Sequence, residues 1–148
     1  MLHVKIRGTR KSIEALAFLD DGSSVTMIDS AIIDEIGAEK SRVNVTLKGL
    51  GGDQALVHSH FRVNLRIQGA FKEFPLKNVL IVDNLTLPSQ SISSKMVEEC
   101  AQRTGIRLTP YDGTPIMLIG QEHSEMIVTR EFRSIDSKSL LVSRSLLG

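Results

Sequence analysis

Two adjacent carboxylates, Asp20 and Asp21, stand at the end of an apolar run, Ala15 to Leu19, on a turn that continues Gly22-Ser23-Ser24. A carboxylate at the end of a buried strand is held rigidly from behind. The N–H groups that follow it and the Ser23 hydroxyl can donate hydrogen bonds to it, and Gly22 admits backbone geometry that other residues resist. The chemistry open to such a group is general acid–base catalysis. The competing reading is a solvated turn, for which Asp, Gly and Ser are the ordinary residues. A second glycine cluster, Lys48-Gly49-Leu50-Gly51-Gly52, lacks the residue order of a phosphate-binding loop and no helix follows it. It reads as the mobile tip of a hairpin. The third segment, Leu118-Ile119-Gly120, is a buried strand closed by glycine, and taken alone it reads as core.

The elements around these residues are mainly strands. "LHVKIRG" alternates apolar and polar residues and "SIEALAFLD" follows after a turn, so residues 2–20 read as a hairpin. "VTMI" is a short strand, and "DSAIIDEIG" a short helix with Asp29 or Ser30 as cap, an Ile face and Gly37 at the exit. "RVNVTLKGL" and "ALVHSHFRVNLRIQG" alternate on either side of a Gly-rich tip near 51–53, the pattern of a long hairpin. "FPLKNVLIVDNL" is continuous enough to be buried on both faces. "SISSKMVEECAQRTG" carries a Ser cap, a stripe of Met96, Val97, Cys100 and Ala101, and a terminal Gly105, all helix signals. "YDGTP" reads as a turn and "IMLIG" as a short core strand, and the tail holds strand-like pieces, "MIVTREF" and "SLLVS".

Taken in order, an apolar strand into Asp-x-Gly-Ser, a Gly-tipped hairpin and an apolar-apolar-Gly strand form a layout that resembles the retropepsins, the retroviral-type aspartic proteases. More narrowly, "FLDDGSSVTMID", "MLIGQEH" and the terminal "SRSLLG" resemble the protease segment of Bel/Pao LTR retrotransposon polyproteins. The likeness spans about residues 1–133 and continues more loosely to the end. It implies a mainly β fold: a closed retropepsin-like barrel with a flap hairpin and one or two short helices, acting as a homodimer. Residues 1–148 would form a single domain, with the assignment of 133–148, as domain or as the start of a polyprotein linker, left open.

The resemblance also implies roles. Asp20, two places before the glycine, would be the catalytic acid, paired with Asp20 of a second copy. The two would activate a water to cleave peptide bonds of a retroelement polyprotein, without cofactor or metal. Asp21, Gly22 and Ser23 would form the active-site loop. Gly49, Leu50, Gly51 and Gly52 would form a flap over the bound peptide, and Leu118, Ile119 and Gly120 would support the loop. Two positions depart from the family. Asp21 stands where a Thr or Ser hydroxyl normally bonds across the dimer axis, and Ser24 stands where many retroviral enzymes carry a further Asp. Asp21 either adds charge at the axis, which favours acid pH, or turns to water or to a Lys or Arg. This departure sustains the alternative of a catalytically inactive dimerisation or peptide-binding module.

Composition sets the outer bounds. A chain of 148 residues with 41% apolar residues can bury a core of its own. The net charge of +1 gives no basic face for nucleic acid. No apolar run approaches the roughly 20 residues of a membrane span, and no signal-peptide core opens the chain, so an intracellular, cytoplasmic setting, including a virus-like particle, is the expectation. The single Cys100 excludes an internal disulfide and reads as a small buried residue. His58, His60 and His123 have no metal-site spacing. Glu98, Glu99 and Glu122 read as a solvated face, and no Gly-x-Ser-x-Gly elbow supports serine catalysis.

Overall fold

A computed structural model describes residues 1–48, 56–134 and 141–148. Strand β1 (Leu2–Arg7) runs antiparallel to β2 (Ser12–Leu19), with Leu2 opposite Ala17 and Arg7 opposite Ser12. The alternation in "LHVKIR" is expressed directly: Val4 and Ile6 are buried, and His3, Lys5 and Arg7 face solvent.

β2 lies parallel to β9 (Met117–Ile119), which is antiparallel to β3 (Met27–Asp29). β3 is parallel to β6 (Glu73–Val82), and β6 is antiparallel to β5 (Leu56–Gln68). The last residues of β5, Arg66–Gln68, return to Lys5–Arg7 of β1. Six strands thus close into a barrel, a solution that removes exposed sheet edges. β4 (Lys40–Lys48) pairs with the first part of β5 outside the ring.

The barrel core is aliphatic: Ile6, Ile28, Ile67, Leu76, Met117 and Ile119 are fully buried. Helix α1 (Ser30–Ile36) closes one side through Ile33 and Ile36. Asp29 caps it by accepting the Ala31 N–H, and Gly37 ends it at φ 72°, a left-handed position suited to glycine. The second Asp29 oxygen accepts the Leu85 N–H, so one carboxylate joins the helix start to the chain beyond β6.

Several readings change. β6 is buried throughout only over Val79–Val82; before that, buried Phe74 and Leu76 alternate with exposed Pro75 and Lys77. Helix α2 (Ser94–Thr104), capped by Ser93 and ended by Gly105, buries Cys100 alone of its stripe, and Met96 is 43% exposed. Its seat is shallow, so a full apolar face has nothing to meet. "YDG" is a strand rather than a turn: β8 (Tyr111–Gly113) pairs with β7 (Gln90–Ile92). A third helix, α3 (Ser124–Ile127), occupies part of the strand-like "MIVTREF", because Met126 packs into the core on the turn that follows β9.

The end of the chain is packed. β10 (Glu131–Ser134) pairs with β11 (Leu141–Arg144). Leu147 is then fully buried in the barrel core, and its carbonyl accepts the Ala70 N–H at 2.6 Å. Gly69 makes room for this return, since a Cβ there would lie 2.6 Å from the Leu147 carbonyl oxygen.

Candidate active site

Asp20 emerges where β2 leaves the barrel. Its N–H still donates to the Ile119 carbonyl of β9 at 3.0 Å, so the residue is tied to the sheet at its last rung. Its side chain is half-buried, and Oδ1 accepts the Gly22 N–H at 2.9 Å. Oδ2 has no hydrogen-bond partner among the described residues. One oxygen is thereby held and the other is left without a protein partner among the described residues.

Gly22 serves this arrangement by its size. It does not adopt a left-handed conformation, but a Cβ there would sit 3.2 Å from Asp20 Oδ1 and crowd the carboxylate. The Ser23 hydroxyl does not reach Asp20: it donates to the Val25 carbonyl at 2.9 Å, bracing the loop from within. Asp21 is exposed and makes no ion pair among the described residues. Ser24 is exposed as well.

Leu118, Ile119 and Gly120 lie directly against this loop. Leu118 and Ile119 pair with Phe18 and Leu19. Gly120 is packed so closely that a Cβ would fall onto the Val25 carbonyl and within 2.7 Å of the Ser23 carbonyl oxygen. Gly49, Leu50, Gly51 and Gly52 lie outside the described residues.

Four residues that composition and motif did not single out for the loop hold it. The Gln121 N–H donates to the Ser23 carbonyl at 2.8 Å, and its side-chain amide to the Asp21 carbonyl at 2.6 Å. Glu122, expected on a solvated face, turns one oxygen back to accept the Thr26 N–H at 3.2 Å. The Thr26 hydroxyl, fully buried, accepts the Gly120 N–H at 3.1 Å and lies 2.8 Å from His123 Nδ1. His123, 6% exposed, presents Nε2 to the Lys77 N–H of β6 at 3.1 Å. Residues 119–123 therefore bond the loop at Asp20, Asp21, Ser23 and Thr26.

The Lys77 N–H is available because of a bulge. β5 and β6 slip register between Val63 and Leu65, so that Lys77 and Asn78 together stand opposite Asn64. Asn78 takes φ 60°, and its N–H donates to Asn64 Oδ1 at 3.0 Å. Both N–H groups expelled from the ladder find side-chain acceptors. The slip shows in the burial of β6: buried Phe74 and Leu76 alternate with exposed neighbours, Lys77 and Asn78 are both exposed, and Val79–Val82 are buried without a break.

Among the described residues no cluster of three or more His, Cys, Asp or Glu could hold a metal ion. Both His123 nitrogens are engaged in the protein fabric, and His60 Nδ1 meets Asn44 Oδ1 at 3.2 Å. No helix among the described residues is long and apolar enough to cross a membrane. A cavity of about 720 Å³ lies between β1, the segment 106–111 and the β10–β11 pair; Leu19 lines it and Asp20 does not. Comparisons with protein families, with curated proteins and with solved structures return no match to this chain.

Proposed function

We propose that the chain is one half of a dimeric aspartic endopeptidase of the retropepsin type, acting on a retroelement polyprotein. The observation that carries this is the Asp20 carboxylate: half-exposed at the end of a barrel strand, with Oδ1 held by Gly22 N–H and Oδ2 unengaged. A single carboxylate so placed is an incomplete acid–base site. Two copies meeting at this loop would complete it.

Paired carboxylates in contact cannot both ionise cheaply, so they hold one proton between them. The ionised member takes a proton from water as the water oxygen adds to the scissile carbonyl. The protonated member donates to the carbonyl oxygen. Collapse of the tetrahedral adduct breaks the C–N bond, and the amine leaves with a proton. The substrate would lie extended beneath the β4–β5 hairpin as an added strand.

Asp21 favours a second reading, an inactive dimerisation or peptide-binding module. Its exposed carboxylate, beside Asp20, would bring up to four carboxylates to a dimer axis. The test is self-cleavage of the chain with flanking polyprotein residues, and cleavage of a peptide library, from about pH 4 to 7. The expected result is cleavage by the wild type, none by Asp20→Asn, and block by a pepstatin-type inhibitor. Wild-type protein that dimerises and cuts nothing would support the inactive module. With Asp21→Thr, the activity optimum and dimerisation should move toward neutral pH; an unchanged profile would place Asp21 away from the dyad.

A further inference from the structure

His123 is the buried titratable group that the proposed chemistry leaves unused, and its hydrogen bonds define its protonation state. The Lys77 main-chain N–H can only donate, so Nε2 must offer a lone pair. A neutral ring then carries its proton on Nδ1 and donates it to the Thr26 hydroxyl oxygen. That oxygen also accepts from Gly120 N–H, so both its lone pairs are used. A doubly protonated ring would aim Nε2–H at another donor and break the bond to β6.

The consequences reach Asp20 through a short path. Thr26 is fixed at all three polar groups: N–H to Glu122, carbonyl from Leu80 N–H, and hydroxyl to His123 and Gly120. The same turn bonds Asp20, Asp21 and Ser23 through Ile119 and Gln121. We propose that His123 and Thr26 are positioning residues for Asp20: a neutral His123 clamps the catalytic loop between β6 and the turn after β9, and protonation releases it. The assignment of catalysis to Asp20 rests on the endopeptidase reading; the clamp on the loop does not.

The groups around the ring are few. The carboxylates acting on it are those of Glu122 and Glu125, from its own turn and the helix that follows, and they favour the charged form. β6 faces it with the Lys77 N–H, while the Lys77 side chain is exposed. The loop faces it with uncharged Thr26. Burial outweighs the two carboxylates and holds the ring below the ordinary histidine value of 6.5. A folded state that resists protonation is fully stabilised above about 6.5, and that share is lost as pH falls from 6.5 toward the lower folded value. The dyad gains from acid and the clamp loses by it, so activity should have an acid limb set by His123.

The decisive experiment has two arms on the full chain. In the first, NMR of Asp20→Asn protein, in which residue 20 no longer titrates, follows the His123 ring and the Gly22 and Ser23 amides against pH. The expected result is an Nδ1–H tautomer that titrates below 6.5, with the loop amides moving at the same midpoint. An Nε2–H tautomer, or loop amides that stay fixed while the ring titrates, would overturn the clamp. The second arm reads peptide cleavage. Thr26→Val should lower kcat on the order of 10- to 100-fold with KM little changed, and Thr26→Ser should restore it. His123→Gln, neutral at every pH, should lose the acid limb seen in the wild type; parallel acid limbs would overturn the proposal. Loop amides that follow the ring in protein that cuts no peptide at any pH would leave the clamp standing and defeat the endopeptidase reading alone.

Discussion

At the scale of single residues, the loop depends on contacts too close to admit another atom. Gly120 supports Ser23 and Val25 by having no side chain, and its N–H reaches the Thr26 hydroxyl. Gly120→Ala must push the loop outward and should cost about 1–3 kcal/mol, as overpacking does. Urea denaturation measures the loss; wild-type stability would mean that the loop yields freely. What was legible at residues 20–23 is the placement: a carboxylate at the end of a strand on a turn through Gly22. The grip on it was not. Thr26 and His123 lie 97 positions apart, and a lone Thr or His in a sequence carries no mark of its partner. Ser23 misled for a related reason: a hydroxyl three residues from a carboxylate can turn to either side, and here the Val25 carbonyl wins.

Among elements, alternation made the long strands readable and its absence hid the short ones. β1 and β5 keep period two over enough residues to announce themselves, β2 shows itself as an apolar run, and α1 carries both of its caps in sequence. β7 and β8, three residues each, exist because they pair with one another, a relation that "YDG" alone cannot express. The bulge in β6 places a non-glycine residue in the left-handed region at Asn78. Asparagine tolerates that conformation better than branched residues. Asn78→Gly should therefore stay within about 0.5 kcal/mol of the wild type, and Asn78→Val should lose about 1–2 kcal/mol. Thermal and urea unfolding of the two variants make the comparison, and equal losses would show that the side chain rather than the backbone matters there.

For the whole molecule, the last residues belong to the fold. Leu147 fills the barrel core, its carbonyl bonds Ala70, and Ser145 N–H bonds the Gly148 carbonyl to turn the end inward. Leu147→Ala should cost about 2–5 kcal/mol, the range for a buried leucine, and removal of residues 141–148 should cost at least as much. If the shortened chain unfolds at the wild-type temperature, the segment is an appendage and the packed end has no energetic weight. The sequence concealed this, because the apolar residues near the end come in short clusters broken by Ser143, Arg144 and Ser145 and keep no period that would betray the burial of Leu147.

The slip in β6 has a consequence for how this chain can change length. The N–H that meets His123 is exposed to it only because β6 has one residue more than β5 across from Asn64. Deleting Lys77 or Asn78 would restore one-to-one pairing opposite Asn64 and take away the N–H that meets His123. The geometry around Asp20 is thus encoded partly as a residue count in a strand that contributes no side chain to it. Substitutions along β6 can accumulate with little effect on the loop, while a one-residue indel there would be felt at once.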